Sequence, residues 1–474
     1  MLNLINGDWR RGQSERPNVN PHTGEEIDQS AIASAQDLED ASAAAMSAFS
    51  QTRQRPIHAR ATILHRVAEL LKAQHQRFTD CMTEELGRPI DFNRNEVDRA
   101  IFTFTNAAEE AKRLNGEYLP LDLTPACEGR YAYWRREAIG PVLAITPFNF
   151  PLNLLAHKVA PAIAAGCPFT VKVPPQTPNT ARLLGEVLME AGCIAGECNI
   201  LDMSPEVAEA AVRDERYKLL TFTGSPKVGW YLKSVAGKKR VLLELGNASA
   251  AIVHHDANNL EWIVKRLRIG AFAAAGQVCI SVQRIFVHKE RAADFVGRFV
   301  MACEALKPEN PRSEGALIGP MVDESAAERV EAWIKEAVDA GAKVIAGQRR
   351  REGRHLWPVV LADVAPEMKV SCEEVFGPVV SIETYTDVDD ALARVNDTPF
   401  GLQVGVFSDS LEVIERVVDG AEVAGVIVND FPTFRIDHMP YGGIKDSGLG
   451  REGVKYALDE YTEKKLIVFN RKMA

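Results

Sequence analysis

Apolar positions recur at helical spacing early in the chain and in short strand-like runs after residue 139. Ser34 to Phe49 is alanine-rich, with Asp37 three residues after Ser34 as a capping signal. A second helix starts at Pro56, with Leu64, Val67, Leu70 and Leu71 on one face. The first ~120 residues are therefore predicted to be mainly helical. From 139 to 250, apolar strands (Val142 to Thr146, Phe169 to Val173, Leu219 to Phe222, Val241 to Leu245) alternate with helices (Ala181 to Ala191, Pro205 to Val212, Val228 to Ala236). That rhythm is βαβ patterning and implies a parallel, nucleotide-binding type of sheet.

The pattern then repeats with a strand at Arg284 to His288, helices at Ala292 to Ala305 and Ser325 to Ala340, a strand at Lys343 to Ala346, and helices at Val388 to Asn396 and Ser410 to Val418. A second α/β domain is expected. Arg130 to Arg136 and Lys465 to Asn470, the latter after a helix around Glu452 to Leu458, are extended runs with no strand nearby in sequence to pair with. They are expected to pair across subunits.

Between Ala138 and Val171 the only full charge is Lys158, which mimics a membrane span. Pro141, Pro147, Pro151, Pro161 and Pro168, with Asn149 and Asn153, deny it an unbroken apolar helix of ~20 residues. It reads as strand, turn, helix and strand. With 46% apolar and 25% charged residues in 474, the chain is an ordinary soluble protein of two or three domains. Its net charge of -10 and lack of a basic block argue against nucleic acid. The eight cysteines show neither a CxxC pair nor zinc spacing, so reduced thiols, no metal and a cytoplasmic location are expected; charge near the N-terminus argues against an export signal.

The chemistry centres on Cys279, in Phe-Ala-Ala-Ala-Gly-Gln-Val-Cys-Ile-Ser, with Glu244 in Leu-Glu-Leu-Gly and Asn149 in Thr-Pro-Phe-Asn-Phe-Pro. A thiolate, a base and an amide donor suit covalent attack on a carbonyl, here oxidation of an aldehyde. Phe-Thr-Gly-Ser-Pro-Lys-Val-Gly (222 to 229) ends a strand and opens a helix, so Gly224 and Ser225 can offer N–H groups and a hydroxyl to a pyrophosphate. Lys172 ends a strand where an ammonium reaches ribose or phosphate; Glu374 can accept ribose hydroxyls while Phe376 packs on a flat ring. Singly, each has a plainer reading: a small core thiol, a solvent-facing strand glutamate, an ordinary turn, a strand-end lysine, a surface acid pair.

Together and in this order the motifs resemble the aldehyde dehydrogenase superfamily, from Ile5-Asn6-Gly7-Asp8-Trp9 to the last strand. The resemblance rests on 146 to 151, on Phe222-Thr223-Gly224-Ser225 with Gly229, on Glu244-Leu245-Gly246, on Gly276-Gln277-Val278-Cys279, on 374 to 378, and on Pro440-Tyr441-Gly442-Gly443-Ile444-Lys445 with Ser447-Gly448. It implies a Rossmann-like cofactor domain (1–120 and 140–246), an α/β catalytic domain (247–445), and a small β oligomerisation region (121–139 and 459–474) in a homodimer or homotetramer. It also implies a Cys279 thiohemiacetal and thioester, an oxyanion held by Asn149, hydrolysis with Glu244 as base, and Lys158 supporting cofactor and proton relay. Thr146, Pro147, Phe148, Lys172, Gly224, Ser225, Gly229, Leu245, Gly246, Glu374 and Phe376 would meet the cofactor.

Two departures matter. Asn247 stands where Gly is usual after Glu-Leu-Gly, and αL geometry there would suit Asn better than most residues. Pro175 stands where NAD-preferring relatives commonly carry a Glu that repels a 2′-phosphate, so both NADP and NAD are expected, with a lean to NADP. For substrate, Arg435 and Arg99 could clamp an anion beside Phe150, Val278 and Ile280; the alternative is that Arg435 pairs with Asp437 or a surface acid. A small anionic aldehyde is the expected partner. A CoA-acylating relative and a catalytically silent binding relative are the other functions compatible with these motifs.

Overall fold

A computed structural model describes residues 1–347 and 351–471. Five parallel strands, Val142–Ile145, Phe169–Lys172, Cys198–Met203, Leu219–Thr223 and Arg240–Glu244, lie side by side in the order third, second, first, fourth, fifth. Their near-continuous apolar runs follow from burial on both faces. Val142, Ala144, Phe169 and Val171 pack under the helices Ile57–Ala73, Ile90–Ala111, Asn153–Ala165 and Pro178–Ala191. Leu143, Ile145, Leu220 and Phe222 face Ala35–Thr52, Pro205–Arg213 and Pro226–Val235. The strand order reverses between Val142–Ile145 and Leu219–Thr223, and a parallel sheet opens its binding crevice at such a switch point, beyond the carboxyl ends of the strands. Residues 146–149 and 224–225 leave the sheet there.

The first 33 residues depart from the helical expectation. They form four strands, of which Asn3–Ile5 adds antiparallel to Cys198–Met203 and Ser14–Val19 pairs with Glu26–Ala33. These strands are short and mostly polar, with Pro17 inside one, so they carry little apolar period.

The second sheet runs Lys343–Gly347, Val359–Ala362, Val379–Tyr385, Val282–His288, Ser249–Val253, Gln403–Phe407, Gly425–Val428, parallel except at its first strand. A third sheet joins Glu117–Pro120, Arg130–Ala138 and Thr462–Asn470. Arg130–Ala138 and Thr462–Asn470, which have no mate nearby in sequence, pair with each other over nine residues within the chain. The mate is simply remote in sequence. Leu466, Val468 and Phe469 are exposed, and among the described residues no further strand flanks Thr462–Asn470. The sheet starts at Glu117, inside the segment assigned to the cofactor domain, and Gly448–Leu449 extends the first sheet from beyond residue 445. Residues 348–350 and 472–474, within the catalytic and oligomerisation segments, lie outside the described residues. No helix among the described residues is long and apolar enough to cross a membrane.

Candidate active site

Cys279 lies near the end of a loop that turns sharply between the helix Leu260–Phe272 and the strand Val282–His288. Ala274, Ala275 and Gly276 adopt φ of 52°, 56° and 71°, the left-handed region that alanine rarely visits. At Gly276 a Cβ would collide with the Gly377 carbonyl, so glycine is required both by φ and by space. The Cys279 sulfur lies 3.1 Å from the Tyr441 hydroxyl, and the Arg435 guanidinium sits 3.7 Å over the Tyr441 ring. Burial pushes the thiol up to about 11, with the Tyr441 hydroxyl and the Arg435 charge drawing it down.

Asn149 reaches the same loop. Its Nδ2 donates to the Gln277 carbonyl at 3.0 Å, which joins the turn after the first parallel strand to the segment holding the thiol. Glu244 ends the strand Arg240–Glu244, is buried, and neither carboxylate oxygen has a hydrogen-bond partner among the described residues. Burial first, and the Glu452 carboxylate second, raise Glu244 well above the usual range. Glu452 moves the opposite way, down to about 2, because Lys158 Nζ at 3.2 Å and Arg435 Nη2 at 3.1 Å hold its charge against the penalty of burial. Two nearby acids pushed apart in this way suit an acid–base site.

Two cavities meet at Cys279. One, of 340 Å³, opens at the switch point between Pro147, Phe148, Gly224, Ser225, Leu245, Gly246, Arg329, Glu374 and Phe376, with Asn149 and Glu244 also on its wall. The other, of 280 Å³, is lined by Phe150, Val278, Ile280, Thr433, Tyr441 and the arginines 88, 99, 266 and 435. Both include the thiol. A family model described as the aldehyde dehydrogenase family matches residues 9–467. The chain belongs to the aldehyde dehydrogenase family.

As a family member it is an oxidoreductase acting on aldehydes. It is similar to the 3-sulfolactaldehyde dehydrogenase of Priestia aryabhattai, 41% identical over 467 residues that span 98% of this chain and 97% of the relative. Among solved structures it is similar to aldehyde dehydrogenase 21 from Physcomitrella patens in complex with the reaction product succinate. That match has a TM-score of 0.97 at 40% identity, covering 99% of this chain and 98% of the other. The NADP-dependent glyceraldehyde-3-phosphate dehydrogenase from Bacillus halodurans C-125, complexed with NADP, matches with a TM-score of 0.95 at 31% identity over 99% of both chains.

Several expected cofactor residues need adjustment. The Gly224 N–H donates to the Glu244 carbonyl at 3.0 Å and is not free for a phosphate. Ser225, which begins the helix Pro226–Val235 without using its hydroxyl as a cap, and the first turn of that helix remain. Gly229 lies in the helix pressed against Leu245, a packing position away from the cavity wall. Lys172 ends the strand Phe169–Lys172 and Pro175 follows it, both outside the cavity lining; burial lowers the Lys172 ammonium to about 8, against the pull of Asp202. Thr146 is buried beside the crevice with its hydroxyl unpartnered among the described residues. Glu374 accepts the Asn247 N–H at 3.1 Å and is pushed by burial up to about 7; Phe376, at φ 48°, meets Phe148 edge-on at 6.0 Å. Asn247 is not left-handed, so the αL argument for it falls away.

The arginine clamp also changes. Arg99 and Arg435 reach the expected cavity, but Arg99 forks onto Asp437 at 2.9 and 2.7 Å, and Arg435 holds buried Glu452 at 3.1 Å with Asp437 a longer ion pair at 3.9 Å, so the pairing alternative holds in part. Asp437 also accepts from Asn153 Nδ2 and pairs with His157, both at 2.9 Å, and His157 with Arg99 holds it well below the carboxylate range against the penalty of burial. Lys158 is likewise committed, to Glu452 and to Thr221 Oγ1 at 3.1 Å, rather than facing the cofactor cavity. Sequence reasoning missed Tyr441, although it sits in a motif it had singled out. It also missed Glu452, Arg88 and Arg266, whose partners are remote in the chain.

Proposed function

We propose that the protein oxidises a small anionic aldehyde to the carboxylate, using NADP or NAD. The carrying observation is that Cys279 forms part of the wall of both cavities, with Asn149 and Glu244 beside it on one of them. A dinucleotide fits the residues at the switch point. The Thr146 and Thr223 hydroxyls are buried and unpartnered among the described residues, Ser225 opens a helix with its hydroxyl unused, and the Glu374 carboxylate lies close over Gly246, where a Cβ would displace it. Pro147, Phe148, Ser225, Leu245, Gly246, Glu374 and Phe376 would hold it, with Thr146 behind them and Lys172 and Pro175 at the ribose end. When bound, its nicotinamide ring supplies the two-electron acceptor.

Cys279 gives up its proton and its sulfur bonds to the aldehyde carbon. The oxygen becomes an oxyanion held by the Asn149 amide and the Cys279 N–H. Once the carbon is oxidised, Cys279 carries a thioester. Glu244, in its ionised form, takes a proton from water; the hydroxide equivalent adds to the thioester carbon, the C–S bond breaks, and carboxylic acid and thiol result. Water as acceptor is favoured over CoA because a base stands beside the thiol.

An anionic substrate is supported by the four guanidiniums on the aldehyde cavity and by relatives named for 3-sulfolactaldehyde and for the product succinate. Arg99 and Arg435 retain N–H groups beyond those spent on Asp437 and Glu452. The reading includes three units (a cofactor domain, a catalytic domain and a small sheet), a homodimer or homotetramer formed through that sheet's exposed strand, and a cytoplasmic setting that keeps Cys279 reduced. Assays of 3-sulfolactaldehyde, succinic semialdehyde, lactaldehyde and a neutral aldehyde of equal size, with NADP and NAD and with or without CoA, test it. Turnover favouring the anionic aldehydes and yielding free acid without CoA supports the reading; CoA-dependent turnover, or none, overturns it.

A further inference from the structure

Arg88 lies between the helices His75–Leu86 and Ile90–Ala111 and is 5% exposed. Its guanidinium serves three acceptors at once. Nε donates to Asn93 Oδ1 at 2.7 Å, Nη1 to the Asn149 carbonyl at 2.5 Å, and Nη2 to Glu96 Oε2. The Asn93 amide is itself fixed, donating to the Thr83 hydroxyl at 2.8 Å and the Arg88 carbonyl at 2.9 Å. The other Glu96 oxygen accepts the N–H groups of Leu152 and Asn153 at 2.8 and 2.9 Å, where the helix Asn153–Ala165 begins. Arg88 and Glu96 therefore grip both ends of the turn 149–153. Beyond it, the Asn149 side chain meets the Gln277 carbonyl, two residues before the thiol.

We infer that Arg88, backed by Glu96, is a positioning residue that sets the Asn149 amide against the Cys279 loop; this rests on the reading of Asn149 as oxyanion donor. A buried ion pair is a poor source of stability, since well-packed apolar groups usually serve as well or better. A planar fork filling three fixed acceptors is a good source of geometry, which a lysine cannot reproduce. The carbonyl and the side chain of Asn149 are each pinned, the first by Arg88 and the second by Gln277, so the direction of the remaining amide N–H is determined. Misplacing such a donor by ~1 Å lowers a rate by about a hundredfold.

The test measures single-turnover formation of reduced cofactor for Arg88→Lys and Glu96→Gln, each alone and combined with Asn149→Ala, together with cofactor KM and Tm. Asn149→Ala is expected to slow the step by about 10²-fold. Arg88→Lys and Glu96→Gln are expected to slow it by about tenfold or more alone. In the Asn149→Ala background they should change it by less than about twofold, because neighbours acting through one group are not additive. Cofactor KM should stay within about twofold throughout, as expected when only transition-state contacts are lost. Full losses in both backgrounds, or wild-type rates for the single variants, overturn the brace. An Asn149→Ala enzyme at wild-type rate sinks the oxyanion assignment beneath it. If Arg88→Lys does not fold, Glu96→Gln, which keeps the contacts to the Leu152 and Asn153 N–H groups, decides alone.

Discussion

The Tyr441 hydroxyl lies 3.1 Å from the Cys279 sulfur. The ring is held in place by the guanidinium of Arg435 stacked over it, which Glu452 fixes from behind. The thiol, raised by burial, thus has one hydroxyl donor and one cation working in favour of its charged form. Tyr441→Phe removes the donor. Alkylation of Cys279 by iodoacetamide in the cofactor-free enzyme should rise with pH toward about 11, as thiolate forms. The variant should lag by about tenfold or more below that pH, since a hydrogen bond to a charged group is worth ~1.5–3 kcal/mol. Equal alkylation rates for the two proteins would deny the hydroxyl this role.

The proposed cofactor site puts Pro175 and Lys172 at the adenosine ribose, where they would govern the choice between NADP and NAD. If the proposed site is right, a carboxylate introduced by Pro175→Glu repels the 2′-phosphate of NADP, and kcat/KM for NADP should fall by about tenfold or more while NAD improves or holds. In the wild type, Lys172 loses its charge above about 8, so preference for NADP over NAD should decline as pH rises through that value. Steady-state kinetics with both cofactors from pH 6.5 to 9.5 checks both. A flat ratio would remove Lys172 from the phosphate site.

Arg99 and Arg435 should separate binding from stability. Arg99, part-exposed over Asp437, is expected to raise KM for anionic aldehydes by about tenfold when changed to alanine, with neutral aldehydes affected less than about twofold. Arg435→Ala leaves Glu452 buried without its second cation and should cost about 3–5 kcal/mol, read as a lower Tm. Glu452 sits at about 2, below its unfolded value, so the pair stabilises the fold above the ordinary glutamate range and that contribution fades as pH falls through ~4.3 toward 2. Arg435→Ala should therefore lose least Tm at the acid end. A constant deficit at every pH would contradict the charge account.

The parallel sheet was legible because strands buried on both faces read as apolar runs cut by proline and glycine, as at Val142–Ile145 and Leu219–Thr223. That Cys279, Glu244 and Asn149 share one cavity was legible because each stands in a short motif at a strand end or loop. What stayed hidden was pairing at a distance. Arg99 and Asp437 are 338 residues apart, Arg88 and Asn149 are 61, and no local period announces either contact. The opening hairpins escaped because strands of three to eight mostly polar residues, one with proline, leave no clear alternation.

The central claim is a covalent step on Cys279 completed by Glu244. Because burial and Glu452 raise Glu244 well above the usual range, its base form grows as pH rises, and thioester hydrolysis should speed up with it. Glu244→Gln should slow that hydrolysis by about 10²–10⁴-fold. Mixed with aldehyde and cofactor, the variant should release one equivalent of reduced cofactor per site and then stall. Intact-protein and peptide mass spectrometry should find the acyl group on Cys279. Steady turnover without a burst, or an acyl group on any other residue, would contradict the account.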